Sequence, residues 1–204
     1  MNEIKDFAIQ LAKMINQRDN KNSPFIVAID GRCASGKTTL AAELEKIISC
    51  NIVHMDHFFL RPEQRTPERL SKAGENVDYE RFLSEVLIPL KKGEKVSYSP
   101  FDCKTMSFAE EIQLDDNIVN IVEGSYSCHN ALYKYYDLRV FLNVSEKEQI
   151  QRIIIRDGKE KAEIFKSKWI PLEENYFKTF NIADRCEVYF SATVNYIKEF
   201  YCEK

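Results

Sequence analysis

The chain has 204 residues, 44% of them hydrophobic and 30% charged, which suits one sizeable α/β core spanning 1–204, is too short for two full domains and excludes a largely disordered protein. A net charge of -3 offers no basic field for gripping a nucleic-acid backbone, so any anion must be bound locally, which favours a small phosphorylated ligand. No apolar run approaches a membrane span, and Met1 to Asp19 mixes charges with apolar residues, so a cytoplasmic protein with neither membrane nor nucleic-acid partner is expected.

Ile4, Phe7, Ala8, Leu11 and Ile15 recur at helical spacing and predict an amphipathic helix from about Ile4 to Gln17, broken by Asp19 to Pro24. Phe25 to Asp30 then reads as a buried strand delivered into Gly31-Arg32-Cys33-Ala34-Ser35-Gly36-Lys37-Thr38-Thr39. Gly31 to Thr38 fits G-x-x-x-x-G-K-[ST], a phosphate-binding loop. In such a loop backbone N–H groups surround the phosphates, the lysine reaches the β/γ-phosphates and the hydroxyl binds Mg²⁺. The glycines permit close backbone approach, and the helix that follows points its positive end at the anion. Gly31, Ala34, Ser35, Gly36, Lys37, Thr38 and Thr39 are the candidate nucleotide-binding residues. Thr38 to Ile48 should form that helix, with Leu40, Leu44, Ile47 and Ile48 on its apolar side.

Asn51 to Met55 reads as a second buried strand ending at Asp56, at the strand end where open α/β sheets bind ligands. Leu60 to Asn76 is a loop or short irregular helix, with Pro62, Pro67 and Gly74 among many charges. Asp78 caps a helix carrying Phe82, Leu83, Val86, Leu87 and Leu90, stopped by Lys91-Lys92-Gly93. Lys95 to Leu114 alternates loosely and suggests a small antiparallel excursion. Asn117 to Val122 is a third strand, ending in Glu123-Gly124, and Leu138 to Val144 a fourth. Ser145 with Glu148 forms a capping signal for a helix to about Arg156. After Asp157-Gly158-Lys159 a longer helix should reach Phe180, interrupted or restarted at Pro171. A last strand at Glu187 to Phe190 precedes a terminal helix from Val194 to Tyr201.

The phosphate loop, the aspartate with aromatics in Met55-Asp56-His57-Phe58-Phe59, Val122-Glu123-Gly124 and the arginine-bearing helix together resemble the uridine kinase-like branch of P-loop kinases, which includes phosphoribulokinase, pantothenate kinase and nicotinamide riboside kinase. The resemblance spans about Phe25 to Phe190. It implies an α/β P-loop fold: a five-stranded parallel sheet in order 2-3-1-4-5, helices on both faces and a small lid. It also implies ATP- and Mg²⁺-dependent phosphoryl transfer to a small-molecule hydroxyl acceptor, and leaves a homo-oligomer open. Asp56 matches the family's aspartate before an aromatic, a base for the acceptor hydroxyl or a Mg²⁺ partner; independently, phosphoryl transfer needs a carboxylate to orient the nucleophile. Glu123 matches the Mg²⁺-holding acid of the third strand. Lys37, Asp56, Arg152 and Arg156 are the candidate catalytic residues, the arginines leading into the lid where a guanidinium neutralises developing charge. Asp78 matches an aspartate that contacts the acceptor sugar, and a helix N-cap explains it as well.

The chain departs from the family in Pro100 to Met106. Phe101 stands where uridine kinases carry a tyrosine, and Met106 where they carry a histidine that helps read the pyrimidine. With Asp78 these are the candidate acceptor-binding residues, and uridine and cytidine are expected to be poor acceptors beside a less polar or non-nucleoside hydroxyl compound, because a thioether cannot supply the lost hydrogen bond. A true uridine or cytidine kinase, and a non-catalytic nucleotide sensor on the same fold, are the alternatives. A regulatory GTPase would need an Asn/Thr-Lys-x-Asp motif, and Asn20-Lys21-Asn22-Ser23 lacks the aspartate. Six scattered cysteines without a C-x-x-C pair suggest neither a zinc site nor a disulfide framework. His54, Asp56 and His57 do not make a zinc set, since His57 falls beyond the strand face that His54 and Asp56 share.

Overall fold

The computed structural model describes residues 2–18, 22–191 and 195–197. Five parallel strands form its centre: β1 (Phe25–Gly31), β2 (Cys50–His54), β7 (Val119–Glu123), β8 (Leu138–Leu142) and β9 (Val188–Phe190). Their order is β2-β7-β1-β8-β9, which is the expected 2-3-1-4-5, and a sixth strand, β10 (Asn195–Ile197), pairs antiparallel with β9. The expected terminal helix is therefore corrected at 195–197, where the β9 edge offers unpaired backbone groups to a returning chain. Val194 and 198–201 lie outside the described residues.

Both faces of the sheet are buried, so its strands read as nearly continuous apolar runs. On one face α1 (Asn2–Asn16) and α2 (Lys37–Glu45) lay Phe7, Leu11, Ile15, Leu40 and Leu44 against Val27, Ile29, Ile121 and Val140. On the other, Ile26, Ala28, Val122 and Phe141 meet Phe82, Val86, Tyr176 and Phe177 from the helices beyond β2 and β8. Ile47 is not on the core side of α2: the helix stops at Glu45, and the turn that follows leaves Ile47 46% exposed while Ile48 stays buried.

Two helices widen before a proline. Between α4 (Tyr79–Phe82) and α5 (Ile88–Lys92) the chain takes a π-helical turn at Leu83–Leu87, ahead of Pro89. Between α7 (Lys159–Ile164) and α8 (Ile170–Thr179) it does so at Phe165–Trp169, ahead of Pro171. Pro171 therefore does not interrupt the helical path. The wider turn shifts the hydrogen-bond ladder so that proline's missing N–H breaks less of it, and makes room for the ring.

Lys95 to Leu114 does leave the main sheet as short antiparallel pairs. β3 (Ser97–Tyr98) pairs with β6 (Ile112–Gln113), and β4 (Phe101–Asp102) with β5 (Ser107–Phe108). On the far side of the phosphate loop, α6 (Glu146–Asp157) and α7 meet at Gly158 and pack Ile153 and Ala162 on Cys33, forming the small lid.

Candidate active site

The phosphate loop starts where β1 can run no further. Gly31 has φ 138, and a Cβ there would lie 2.1 Å from the Leu142 carbonyl oxygen on β8, so only glycine lets the loop leave between two strands. Gly31, Ala34 and Gly36 have positive φ, which curls the backbone around the anion position. Lys37 begins α2 and is buried. Its Nζ donates to the Gly31 and Arg32 carbonyls at 2.8 and 2.9 Å, which places the ammonium at the mouth of the loop. Ser35 is buried and its hydroxyl has no hydrogen-bond partner, a polar atom that a phosphate oxygen would satisfy. Thr39 is exposed beside Thr38.

Glu123 ends β7 beside the loop. The Thr38 hydroxyl stands 3.2 Å from each of its carboxylate oxygens, so a hydroxyl and a carboxylate face one point, the hard-oxygen pair that Mg²⁺ prefers. Among the described residues no group of three or more His, Cys, Asp and Glu side chains gathers to hold a metal. A Mg²⁺ ion at Thr38 and Glu123 would complete its shell with phosphate oxygens and water. His54, at the end of β2, places Nδ1 2.5 Å from the same carboxylate, and this hydrogen bond pulls its pKa upward.

Asp56 does not lie on the strand. β2 ends at His54, and Met55–Phe58 is a 3₁₀ turn that carries Asp56 and His57 over the strand end. Gly124, at φ 142, makes room for this turn, since a Cβ there would sit 2.8 Å from the Met55 Cβ. Asp56 lines a cleft and reaches water, with other side chains crowded around its carboxyl. Loss of hydration pushes its carboxyl above the usual aspartate range, Lys37 pulls it down and Glu123 pushes it up again. The cleft encloses ≈ 370 Å³ between Asp56, His57 and Phe59 on one side and Pro100 to Lys104 on the other. Burial lowers the His57 pKa to about 4, so its ring is neutral near pH 7.

The remaining expected site residues divide. Phe101 is buried, lines the cleft and sets its ring edge-on to Phe108 at 5.6 Å. Met106 stands apart: it has φ 56 at the tip of the β4–β5 turn, is 41% exposed and does not line the cleft. Asp78 is buried, and its Oδ1 accepts the Arg81 N–H as the cap of α4. Its Oδ2 has no hydrogen bond and only distant guanidinium neighbours, Arg61 at 3.7 Å and Arg81 at 4.0 Å. Arg152 reaches the loop, donating to the Ala34 carbonyl at 3.0 Å, and its other terminal nitrogen pairs with Glu148 at 2.5 Å. Arg156 does not reach it: it pairs with Asp157 at 2.8 Å and lies over the Phe165 ring.

Two acids that the sequence analysis did not single out hold the loops together. Asp30 is fully buried. Its carboxylate accepts from the Gly31, Tyr126 and Cys128 N–H groups and the Tyr176 hydroxyl, tying β1 to the turn after β7 and to α8. Burial pushes its pKa to about 6 against those donors. Glu173, from α8, accepts the Cys33 N–H at 3.0 Å and the Ser125 hydroxyl at 2.7 Å, and Ser125 Oγ lies 3.5 Å from Lys37 Nζ. An acid at a strand end was the available signal for Asp30. Glu173 lies 140 positions beyond its partner Cys33, and local pattern gives no sign of such a contact.

A glycine-framed loop between a parallel strand and a helix, with a threonine and an acid converging beside it, defines the P-loop kinase class. The sequence profile of the phosphoribulokinase/uridine kinase family matches residues 26–167, and the chain belongs to that family. It is 30% identical over 157 residues to a uridine kinase of Ureaplasma urealyticum serovar 10, covering 72% of this chain and 76% of that one. It is 28% identical over 157 residues to uridine-cytidine kinase B of Dictyostelium discoideum, with 72% and 64% covered. Its fold matches the solved structure of a possible uridine kinase from Bacillus stearothermophilus with a TM-score of 0.67 at 24% identity, covering 93% of this chain and 100% of that one. A kinase-type phosphotransferase acting on a small molecule is the activity that this family membership supports. Among the described residues no helix is long and apolar enough to cross a membrane.

Proposed function

We propose that the protein transfers the γ-phosphoryl group of ATP to a hydroxyl of a small molecule. The loop from Gly31 to Thr38 holds the phosphates, and Lys37 and Arg152 offset charge on the transferring group. Thr38 and Glu123 hold Mg²⁺, which when bound screens the phosphates and draws charge from the transferring group. Asp56 orients the acceptor hydroxyl and takes its proton, a role that its raised pKa suits because such a carboxylate is the stronger base. The observation that carries this reading is proximity: the Lys37 ammonium and the Thr38–Glu123 pair meet at the loop, and both Lys37 and Glu123 lie near enough to shift the carboxyl of Asp56, which lines the cleft.

The test is ATP-dependent phosphorylation over a panel of nucleosides, pantothenate-like compounds, sugars and sugar phosphates. Lys37→Ala should lower turnover by about a hundredfold or more, since it removes the cation at the phosphates. Wild type and variant binding ATP·Mg²⁺ equally would contradict the loop's assignment. Uridine or cytidine as acceptor is a second reading, favoured by similarity to kinases named for those nucleosides. A kcat/KM for uridine of about 10⁴ M⁻¹s⁻¹ or above would establish it. The Phe101 wall favours a poorer uridine substrate, because it offers the base no hydrogen bond.

A further inference from the structure

Resting on the kinase reading above, we propose that the acceptor carries an anionic group, a phosphate or a carboxylate, which Arg65 and Lys104 hold beside the 100–104 segment of the cleft while Asp56 takes the hydroxyl across from it. Arg65 Nε donates to the Leu60 carbonyl at 2.9 Å, and its NH2 lies 3.3 Å from the Cys103 Sγ, so the guanidinium is fixed beside a residue that lines the cleft. Lys104 lines the cleft from the neighbouring turn.

The charge pattern singles these two out. Arg61 faces Glu63 at 3.3 Å and Asp78 at 3.7 Å, Arg69 faces Glu75 at 3.3 Å and Glu80 at 2.6 Å, and Arg81 faces Glu85 at 3.0 Å. Among the described residues, neither Arg65 nor Lys104 has a carboxylate within 4.0 Å. Asp102, the other charged residue of that segment, turns Oδ1 to the Lys104 backbone N–H at 2.7 Å. With Nε on the Leu60 carbonyl and NH2 against the Cys103 sulfur, a weak acceptor, Arg65 keeps the NH1 end of its guanidinium for an outside anion, a group suited to carboxylate and phosphate oxygens.

The two sides of the cleft then differ in charge: Asp56 lies on one, and on the other Lys104 and the neighbouring Arg65 outnumber the single Asp102 carboxylate. An acceptor with one anionic end is steered to place that end at the cations and its hydroxyl at Asp56, whereas a neutral nucleoside gains no such orientation. A volume of ≈ 370 Å³ is near the lower end for ligand pockets and suits a compact molecule of sugar-phosphate or hydroxy-acid size.

The experiment gives the protein ATP, Mg²⁺ and matched acceptors that differ by the anionic group: ribose against ribose 5-phosphate, and glycerol against glycerate. The charged member of one pair should be used at least ~tenfold better in kcat/KM, and Arg65→Ala or Lys104→Ala should lower that preference by a similar factor. The pair that responds distinguishes phosphate from carboxylate. A second readout needs no correct acceptor, because Cys103 is exposed beside the two cations and the other described cysteines are buried. The ratio of Cys103 alkylation by iodoacetate, which is anionic, to that by iodoacetamide, which is neutral, should fall at least ~threefold in either variant, resolved by peptide mass mapping. A ratio unchanged in both variants, or an uncharged acceptor used as well as its charged partner, overturns the proposal. If no acceptor shows Lys37-dependent phosphorylation, it is the kinase reading that fails, and the alkylation ratio still decides the anion site.

Discussion

The phosphate loop and the cleft proposed for the acceptor are built differently. At the phosphate end, backbone does most of the work: β1, the loop and α2 are consecutive, and Gly31 is pinned between strands by a distance that no side chain tolerates. At the acceptor end a 3₁₀ turn and two-residue strands present side chains into an open cleft. Backbone recognition needs particular residues at fixed spacing and changes little without failing. Side chains on short turns can be exchanged one at a time, which leaves acceptor choice free to vary on a constant phosphate site.

Substitutions should respect that division. The largest effect is expected from Gly31→Ala, which forces a positive φ on alanine and a backbone clash at 2.1 Å. It should cost roughly 3 kcal/mol or more of stability in urea unfolding, or prevent folding. A stable variant would show that the loop's geometry is less constrained than the contrast requires.

Glu173→Ala comes next, because it leaves the Cys33 N–H without its acceptor beneath the loop. The expected loss is about 1–3 kcal/mol, while Glu173→Gln, whose amide oxygen still accepts, should lose less. Equal losses for the two would show that the negative charge matters here rather than the hydrogen bond. The smallest effect is expected from Met106→Ala at the exposed turn tip. Stability should stay within about 0.5 kcal/mol, and a large rise in acceptor KM would return Met106 to the acceptor site.

The same division explains what could be read in the sequence. The phosphate loop, the β1, β7 and β8 runs and Glu123 were legible, because local spacing and apolar continuity determine them. Asp78 was legible as a cap. Asp30, His54 and Glu173 gain their roles from partners far along the chain, and no local pattern reports a carboxylate arriving from α8. The motif alignment puts Met106 on an acceptor wall, yet Met106 takes a positive φ at the end of a turn whose Cys103 and Lys104, not Met106, line the cleft. The π-helical turns before Pro89 and Pro171 escaped because proline signals a break, whereas a widened turn keeps the helix going. β10 escaped for a different reason: an alternating apolar stretch fits either a helix or a strand until the edge of β9 is known.

The measurement that tests the two-ended account most directly is Asp56→Asn, followed by both single-turnover chemistry and ATP binding. On the proposed reading Asp56, which lines the cleft, serves the acceptor, so kcat should fall by about a hundredfold or more while the Kd for ATP·Mg²⁺ stays within a few-fold. Loss of ATP affinity with kcat preserved would contradict the account and move Asp56 to the phosphate end.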